Sequence, residues 1–312
     1  MDIKIRKLGK KYLNDAAEIT WNTYIREKEA VPCLPMKQDY RDEFRERLTD
    51  LFTEGTGVVA ISDNRLVGFL GGYEVKELLG TRTGVYCPVY GHGAPCSNRE
   101  YVYQKMYMHA AELWVKKEMF DHLVTVYAHD EEVVDTWFWM GFGLRGVDAI
   151  CEVSVNHEKN FDIVKADMDD ISGLAELHRK HNLYYRNSPI FMPSKDEDPI
   201  KDLGDWLKNK DHHLWMAYND EKPLGYIRIQ PSGESLFSRH PDMMNITGAY
   251  VDESYRRSGI GRELLNEVQR WLQEYGYSLL GVDFESINPT GSNFWRKYFT
   301  PYTYSLSRCI WG

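Results

Sequence analysis

Between residues 260 and 275 the chain sets Leu264, Leu265, Val268, Trp271, Leu272 and Tyr275 at i, i+1, i+4, i+7, i+8 and i+11. That spacing predicts a helix with one apolar face. A second helix with the same face is predicted from Tyr107, Met108, Ala111, Trp114 and Val115. Around each helix the pattern changes to short runs of β-branched and aromatic residues separated by polar turns, the mark of strands and hairpins. In the first half these run IKIRKL, the helical stretch DAAEITWNTY, the hairpin VVAISDNRLVGFLGGYE, the strand TGVYCPVY, the long helix and the strand HLVTVYA. The second half runs FDIVKA, DISGLAELHRKHN, HHLWMAYNDEKPLGYIRIQ, NITGAYV, the long helix and SLLGVDFE. Each half adds a short helix and a closing strand, and an Asp starting the first helical stretch offers an N-cap oxygen.

The two series are one unit written twice. Gly68 and Gly225 lie 157 positions apart, Trp114 and Trp271 repeat that offset, and Trp137 and Trp295 are 158 apart. The expected architecture is therefore mixed α/β in two tandem units, residues 1–156 and 157–312. The seam is expected near Val155 to Lys159, where VSVNHEKN breaks the pattern.

Composition narrows what such units do. A length of 312 residues with 43% hydrophobic content suits two cores. No stretch resembles a signal peptide or a membrane span, and a cytoplasmic protein without a membrane partner is expected. Cys33, Cys87, Cys96, Cys151 and Cys309 are odd in number and nowhere spaced CxxC, so neither a disulfide framework nor a zinc site is indicated. A net charge of −9 argues against nucleic-acid binding and mildly favours cationic partners. His178 and His181 stand at i, i+3 without an evident third metal ligand, so an exposed helix face is expected for them and no metal. His212 and His213 are expected at the polar edge of a strand.

One stretch carries chemistry. In AYVDESYRRSGIGRELLNEVQRW, residues 249–271, a strand enters a loop with glycines at 259 and 261 and leaves as a helix. Main-chain N–H groups at a helix start are unpaired and sit at the positive end of the dipole, so the site suits an anion. Gly259 and Gly261 let a ligand approach the backbone, and Arg256, Arg257 and Arg262 add charge. A diphosphate is the natural guest. A Rossmann GxGxxG fails because Leu264 stands at the third glycine, and a Walker loop fails because Arg262 follows Gly261 and no glycine stands at 256.

The pattern that fits is RxxGxG, here Arg256-Arg257-Ser258-Gly259-Ile260-Gly261, preceded by Val251 and Tyr255 and followed by Leu264 and Leu265. It resembles the acetyl-CoA loop of the GNAT superfamily of N-acetyltransferases. Asn288, the Phe294-Trp295 pair and the closing strand PYTYSLSRCI are similar to that family's later elements. The resemblance implies that Ala249, Tyr250 and Val251 line the pantetheine arm and that the Val251 N–H polarises the thioester carbonyl as a one-donor oxyanion hole. It further implies that the loop from Arg256 through Ile260 to Arg262 holds the pyrophosphate and that Asn288 meets the pantetheine amide. The partners so implied are acetyl-CoA, as co-substrate without a metal, and the amine of a small molecule or peptide, attacked without a covalent enzyme intermediate.

Trp295 stands where the family has a Tyr that protonates the departing thiolate. Tyr298, one turn further on, is the substitute candidate, and a thiol of pKa about 8.5 leaves with little help. For the proton on the attacking amine the candidates are Asp283, Glu285 and Asp252. Projecting the loop back by 157 to 158 positions meets Tyr101 or Val102 and Tyr103 or Gln104, side chains too large for a phosphate cradle. The N-terminal unit is expected to keep the fold without CoA, with residues 91–100, GHGAPCSNRE, as its altered loop. A non-catalytic acyl-CoA sensor remains the rival reading, with oligomeric state, monomer or homodimer, open.

Overall fold

The computed structural model describes residues 2–36, 40–80, 82–95, 98–155, 161–193, 198–219 and 222–310. Cys96 and residues 156–159 of the expected seam lie outside them. The chain divides into two compact units, Met1–Val147 with Pro301–Gly312, and Asp148–Thr300.

The first unit runs β1 (Lys4–Lys7), α1 (Leu13–Ala30), α2 (Tyr40–Glu54), β2 (Thr56–Ser62), β3 (Arg65–Leu78), β4 (Arg82–Cys87), β5 (His92–Gly93), α3 (Arg99–Val115), β6 (Asp121–Tyr127), α4 (Glu131–Trp139) and the start of β7 (Gly143–Glu152). β1 to β4 pair antiparallel in succession, and β4 pairs parallel with β6 from Gly84↔Asp121 to Cys87↔Val124. The second unit takes the rest of β7 and then β8 (Asp162–Lys165), α5 (Ile171–Arg186), α6 (Pro199–Leu207), β9 (His213–Asn219), β10 (Lys222–Gln230), β11 (Met243–Val251), α7 (Ile260–Glu274), β12 (Leu279–Glu285) and α8 (Pro289–Trp295). β8 to β11 are antiparallel and β11 runs parallel to β12. The last strand, β13 (Thr300–Cys309), returns to the first unit and pairs antiparallel with β6. β13 thus lies beside β6 and β7 beside β12, each next to a strand from the other half of the sequence, and the compact units do not coincide with halves 1–156 and 157–312.

Burial follows the periodicity with two corrections. On α7, Leu264, Leu265, Val268 and Leu272 are buried as expected, each contributing about 1.5–3 kcal/mol. Tyr275, expected on that face, is 62% exposed because it lies past the last turn and stacks on Trp271 at 4.5 Å between ring centroids. On α3 the apolar face is Val102, Tyr103, Met106, Tyr107, Ala110 and Trp114, and Met108, expected inside, is 63% exposed. The face is rotated because Val102 and Met106, not Met108, lie over Gly68 of β3.

Among the described residues no helix is long and apolar enough to cross a membrane.

Candidate active site

In the second unit the parallel pairing of β11 with β12 runs from Met243↔Leu279 only to Ile246↔Val282. β11 continues to Val251 and β12 to Glu285, unpaired with each other. The cause lies one residue on. The β10–β11 register shifts between Arg228 and Ile229, which face Gly248 and Ile246, so Thr247 is an extra residue in β11. Such a bulge adds local twist and bends a strand out of its ladder. Arg228 fastens it, with Nε donating to the Thr247 carbonyl at 3.3 Å. A cleft opens between Thr247–Val251 and Asp283–Glu285.

The Asp252 N–H donates to the Leu224 carbonyl at 2.9 Å, which fixes the alternation along β11. N–H groups of successive residues point to opposite edges, so Val251 turns its N–H away from β10 and into the cleft. Gly259 follows at the N-cap of α7 in the left-handed region, φ 100° and ψ −11°. A side chain there would be strained, although a Cβ meets nothing within 4 Å. At Gly261 a Cβ would lie 3.5 Å from Phe294, ordinary contact, so larger side chains there meet an aromatic wall. The first N–H bonded back into α7 is that of Glu263, to the Gly259 carbonyl at 3.1 Å. The main-chain N–H groups of Gly259, Ile260 and Gly261 precede it.

The loop's side chains are disposed unequally. Arg256 lies over the rings of Tyr184 at 4.8 Å and Tyr250 at 5.6 Å and pairs with Glu253 at 3.2 Å, so it braces the loop against α5. Ser258 Oγ donates to the Tyr255 carbonyl at 2.7 Å. Arg257 is exposed at φ 66°, and Arg262 is half-buried in the first turn of α7. Asn288 is buried at the N-cap of α8, where its Oδ1 accepts from the Gly291 N–H at 3.0 Å, the Thr290 hydroxyl at 2.9 Å and the Tyr184 hydroxyl at 2.9 Å. Ala249 is half-buried on β11.

Of the acid–base candidates, Asp252 is committed elsewhere. Lys180 donates to its carboxylate at 2.7 Å, and that hydrogen bond holds it below the ordinary aspartate range. Asp283 and Glu285 share one face of β12. The Asp283 side chain reaches solvent, yet crowding protein strips water from its carboxyl and, with Glu234, Asp148 and Glu285 nearby, pushes it up to about 7. Facing them from α5 is Tyr185, pushed up to about 12 by burial and then by Asp283. Trp295 is buried against Phe294 and Phe299, and Tyr298 lies in the turn after α8, its ring 5.1 Å from that of Phe294.

His178 and His181 correct the sequence reading. His178 is 2% exposed and His181 half-buried; both meet the Tyr226 hydroxyl, at 3.0 and 2.6 Å. Their side of α5 lies on the sheet because residues 178, 181 and 185 follow a helical face. His213, expected at a polar edge, packs on Trp271 with ring centroids 4.3 Å apart. Among the described residues no three His, Cys, Asp or Glu side chains gather as a metal-binding group.

The first unit fills the equivalent space. α3 starts at Arg99, fifteen residues before Trp114, while α7 starts at Ile260, eleven before Trp271. One extra helical turn replaces the loop, and its Arg99 is held by Asp130 at 2.5 Å and Glu132 at 2.9 Å. His92, 157 positions before Ala249, is buried with Nε2 on the Thr125 carbonyl of β6 at 2.9 Å and Nδ1 on the Tyr103 hydroxyl at 3.0 Å. An imidazole thus occupies the gap beyond the last β4–β6 pair.

In the second unit the central parallel strands part beside a helix start that carries Gly259 and Gly261. Residues 175–299 match the model of the acetyltransferase (GNAT) family. The second unit is a GNAT domain, a fold for acyl transfer to amines, and the first unit is a degenerate GNAT-like domain in tandem with it. The structure is similar to a GCN5-related N-acetyltransferase from Sphaerobacter thermophilus, with TM-score 0.61 and 16% identity over 99% of this chain and 96% of that one. At that identity the likeness is one of fold. A tandem GNAT protein from the clavulanic acid biosynthesis pathway aligns over 100% of this chain and 99% of its own, with 13% identity and TM-score 0.45. Comparison with curated proteins returned no match.

Proposed function

We propose that the second unit binds acetyl-CoA between β11 and β12 and transfers the acetyl group to a primary amine of a small molecule or peptide by direct attack. The observation that carries this reading is the parting of β11 from β12 at Ile246 and Val282, with the Gly259–Gly261 helix start beside it. The residues fit the ligand: the Gly259 position is open, and the N–H groups of Gly259, Ile260 and Gly261 precede the helix ladder. Acetyl-CoA, when bound, supplies the activated acyl group.

The chain's own residues divide the remaining work. Gly259 to Gly261, with Arg257 and Arg262, bind the pyrophosphate, while Arg256 and Ser258 shape the loop. Ala249, Tyr250 and Val251 line the pantetheine arm, and the Val251 N–H meets the thioester carbonyl, a contact of a kind worth about 10²–10³ in rate. Asn288 borders the arm and holds Tyr184 toward it. Asp283 and Glu285 draw the ammonium form of the acceptor into the cleft, and the leaving thiolate needs at most Tyr298. The first unit, plugged by His92, takes no CoA.

Calorimetric titration of the full chain with acetyl-CoA, then thiol release over a panel of amines, tests the reading. One equivalent bound and thiol released with some amine is expected. Failure to bind acetyl-CoA overturns it. Binding with no thiol release on any amine supports an acyl-CoA sensor instead, the reading favoured by the buried indole of Trp295 where a phenol acid is usual.

A further inference from the structure

A chain of four side chains runs from α5, beside Tyr250 of β11, toward solvent. His181 stacks on Tyr250 of β11, the residue before Val251, with centroids 5.3 Å apart. Its Nδ1 is 2.6 Å from the Tyr226 hydroxyl, that hydroxyl is 3.0 Å from His178 Nδ1, and His178 Nε2 is 2.7 Å from Asp202 Oδ2. Asp202 lies on α6 with its side chain 35% exposed. The carboxylate end sets every proton in the row. An ionised carboxylate only accepts, so His178 donates from Nε2 and, as a neutral ring, accepts at Nδ1. Tyr226 must then donate to His178 and accept from His181 Nδ1. His181 is left with a bare lone pair on Nε2, which has no hydrogen-bond partner among the described residues.

We propose that His181 takes the proton of the attacking amine in the second unit and that Tyr226, His178 and Asp202 relay it to solvent. The inference rests on the amine-acetyltransferase reading. The ammonium first loses one proton to water; as the new N–C bond of the free amine then forms and the C–S bond breaks, the electron pair leaves with sulfur as thiolate. The amine proton goes to His181 Nε2, the Nδ1 proton to Tyr226, the phenolic proton to His178 Nδ1, and the Nε2 proton of His178 to Asp202. The groups facing His181 are Tyr226 and Arg228 of β10, Tyr250 of β11, His178 and Tyr185 of α5, and Arg256. Burial first, then Arg228, His178 and Arg256, hold its ring well below the ordinary range, to about 3. Such a ring is unprotonated and ready at neutral pH but does not retain a proton, which is why an onward path matters.

The test uses the full chain, acetyl-CoA and a panel of spermidine, kanamycin, benzylamine and a tetrapeptide with a free N-terminus. His181→Gln is expected to lower kcat about 10²–10⁴-fold at pH 7, the range for a lost general base. The loss should shrink as pH rises and hydroxide takes over the role of the missing base, with acetyl-CoA affinity unchanged. Tyr226→Phe, which removes one oxygen and keeps the packing, should lower kcat in the same pH-dependent way. Nitrogen NMR of the unmodified protein should show His181 protonated on Nδ1 and bare on Nε2. An unchanged kcat and pH profile in His181→Gln, or a His181 ring carrying its proton on Nε2, overturns the relay. Absence of thiol release by the unmodified protein instead overturns the amine-transfer reading, and the NMR result alone then decides the arrangement at His181.

Discussion

A single methyl group added at Gly259 separates the phosphate role of the α7 start from its structural role, because the same helix offers a matched control. Gly259 sits before α7 at φ 100° and Gly276 after it at φ 80°, and a Cβ at either meets nothing within 4 Å. Neither Gly259→Ala nor Gly276→Ala creates a clash. Both force a non-glycine residue into the left-handed region, at about 1–2 kcal/mol each. In a unit of this size, Asp148–Thr300, that corresponds to about 3–6 °C of melting temperature for both variants. They part at the ligand. Relaxing the strain at Gly259 reorients the N–H groups that precede the Glu263–Gly259 hydrogen bond, whereas relaxing it at Gly276 moves only the exit of the helix. Losing one hydrogen bond to a charged phosphate costs about 1.5–3 kcal/mol, or about ten- to a hundredfold in affinity. Calorimetric titration with acetyl-CoA beside a thermal melt reads both quantities. Equal acetyl-CoA affinity in the two variants refutes the assignment of the pyrophosphate to this helix start, whatever the melts show.

Three further outcomes are expected. Burial pushes His122 down to about 4, so between pH 6.5 and 4 the unfolded chain takes up a proton that the folded one refuses. At about 1.4 kcal/mol per pH unit the folded state loses about 3 kcal/mol on acidification through that window, and His122→Gln should flatten the fall in melts from pH 7.5 to 4.5. Asp283, pushed up to about 7, holds its proton more tightly folded than unfolded, so the stability it adds is present at pH 4 and lost as pH rises through 7. Asp283→Asn should therefore raise the melting temperature at pH 8 relative to the unmodified protein and leave it unchanged near pH 4; the same change at both pH values contradicts the crowding argument. Tyr298→Phe should cost less than about tenfold in kcat, since a thiol of pKa about 8.5 leaves unaided; a larger loss measured by thiol release would make Tyr298 the acid.

What the chain order revealed and what it hid follow from how local each signal is. The strand–glycine–helix order was legible because its parts are contiguous from Ala249 to Trp271, and Gly259 reports its own backbone conformation. The helix α2 is absent from the expected order, although Phe44, Leu48, Leu51 and Phe52 give it a buried face. The exchange of closing strands was not legible, because β13 follows α8 in sequence while its partner β6 lies more than 170 residues earlier, and no local pattern encodes a pairing that distant. The relay was hidden for a related reason. His178 and His181 read as polar residues on a helix that also carries Arg179 and Lys180, and only the meeting of α5 with β10 turns them onto Tyr226. Polar groups that would cost several kcal/mol buried singly become tolerable in a closed row, each partner satisfied by the next. The same reasoning explains the first unit. Its cleft kept a polar gap beyond β4 and β6, and His92 closes it by bonding the Thr125 carbonyl and the Tyr103 hydroxyl together. Two copies of one fold thus treat the same main-chain edge in opposite ways, closed by a side chain from within in the first unit and left unpaired between β11 and β12 in the second.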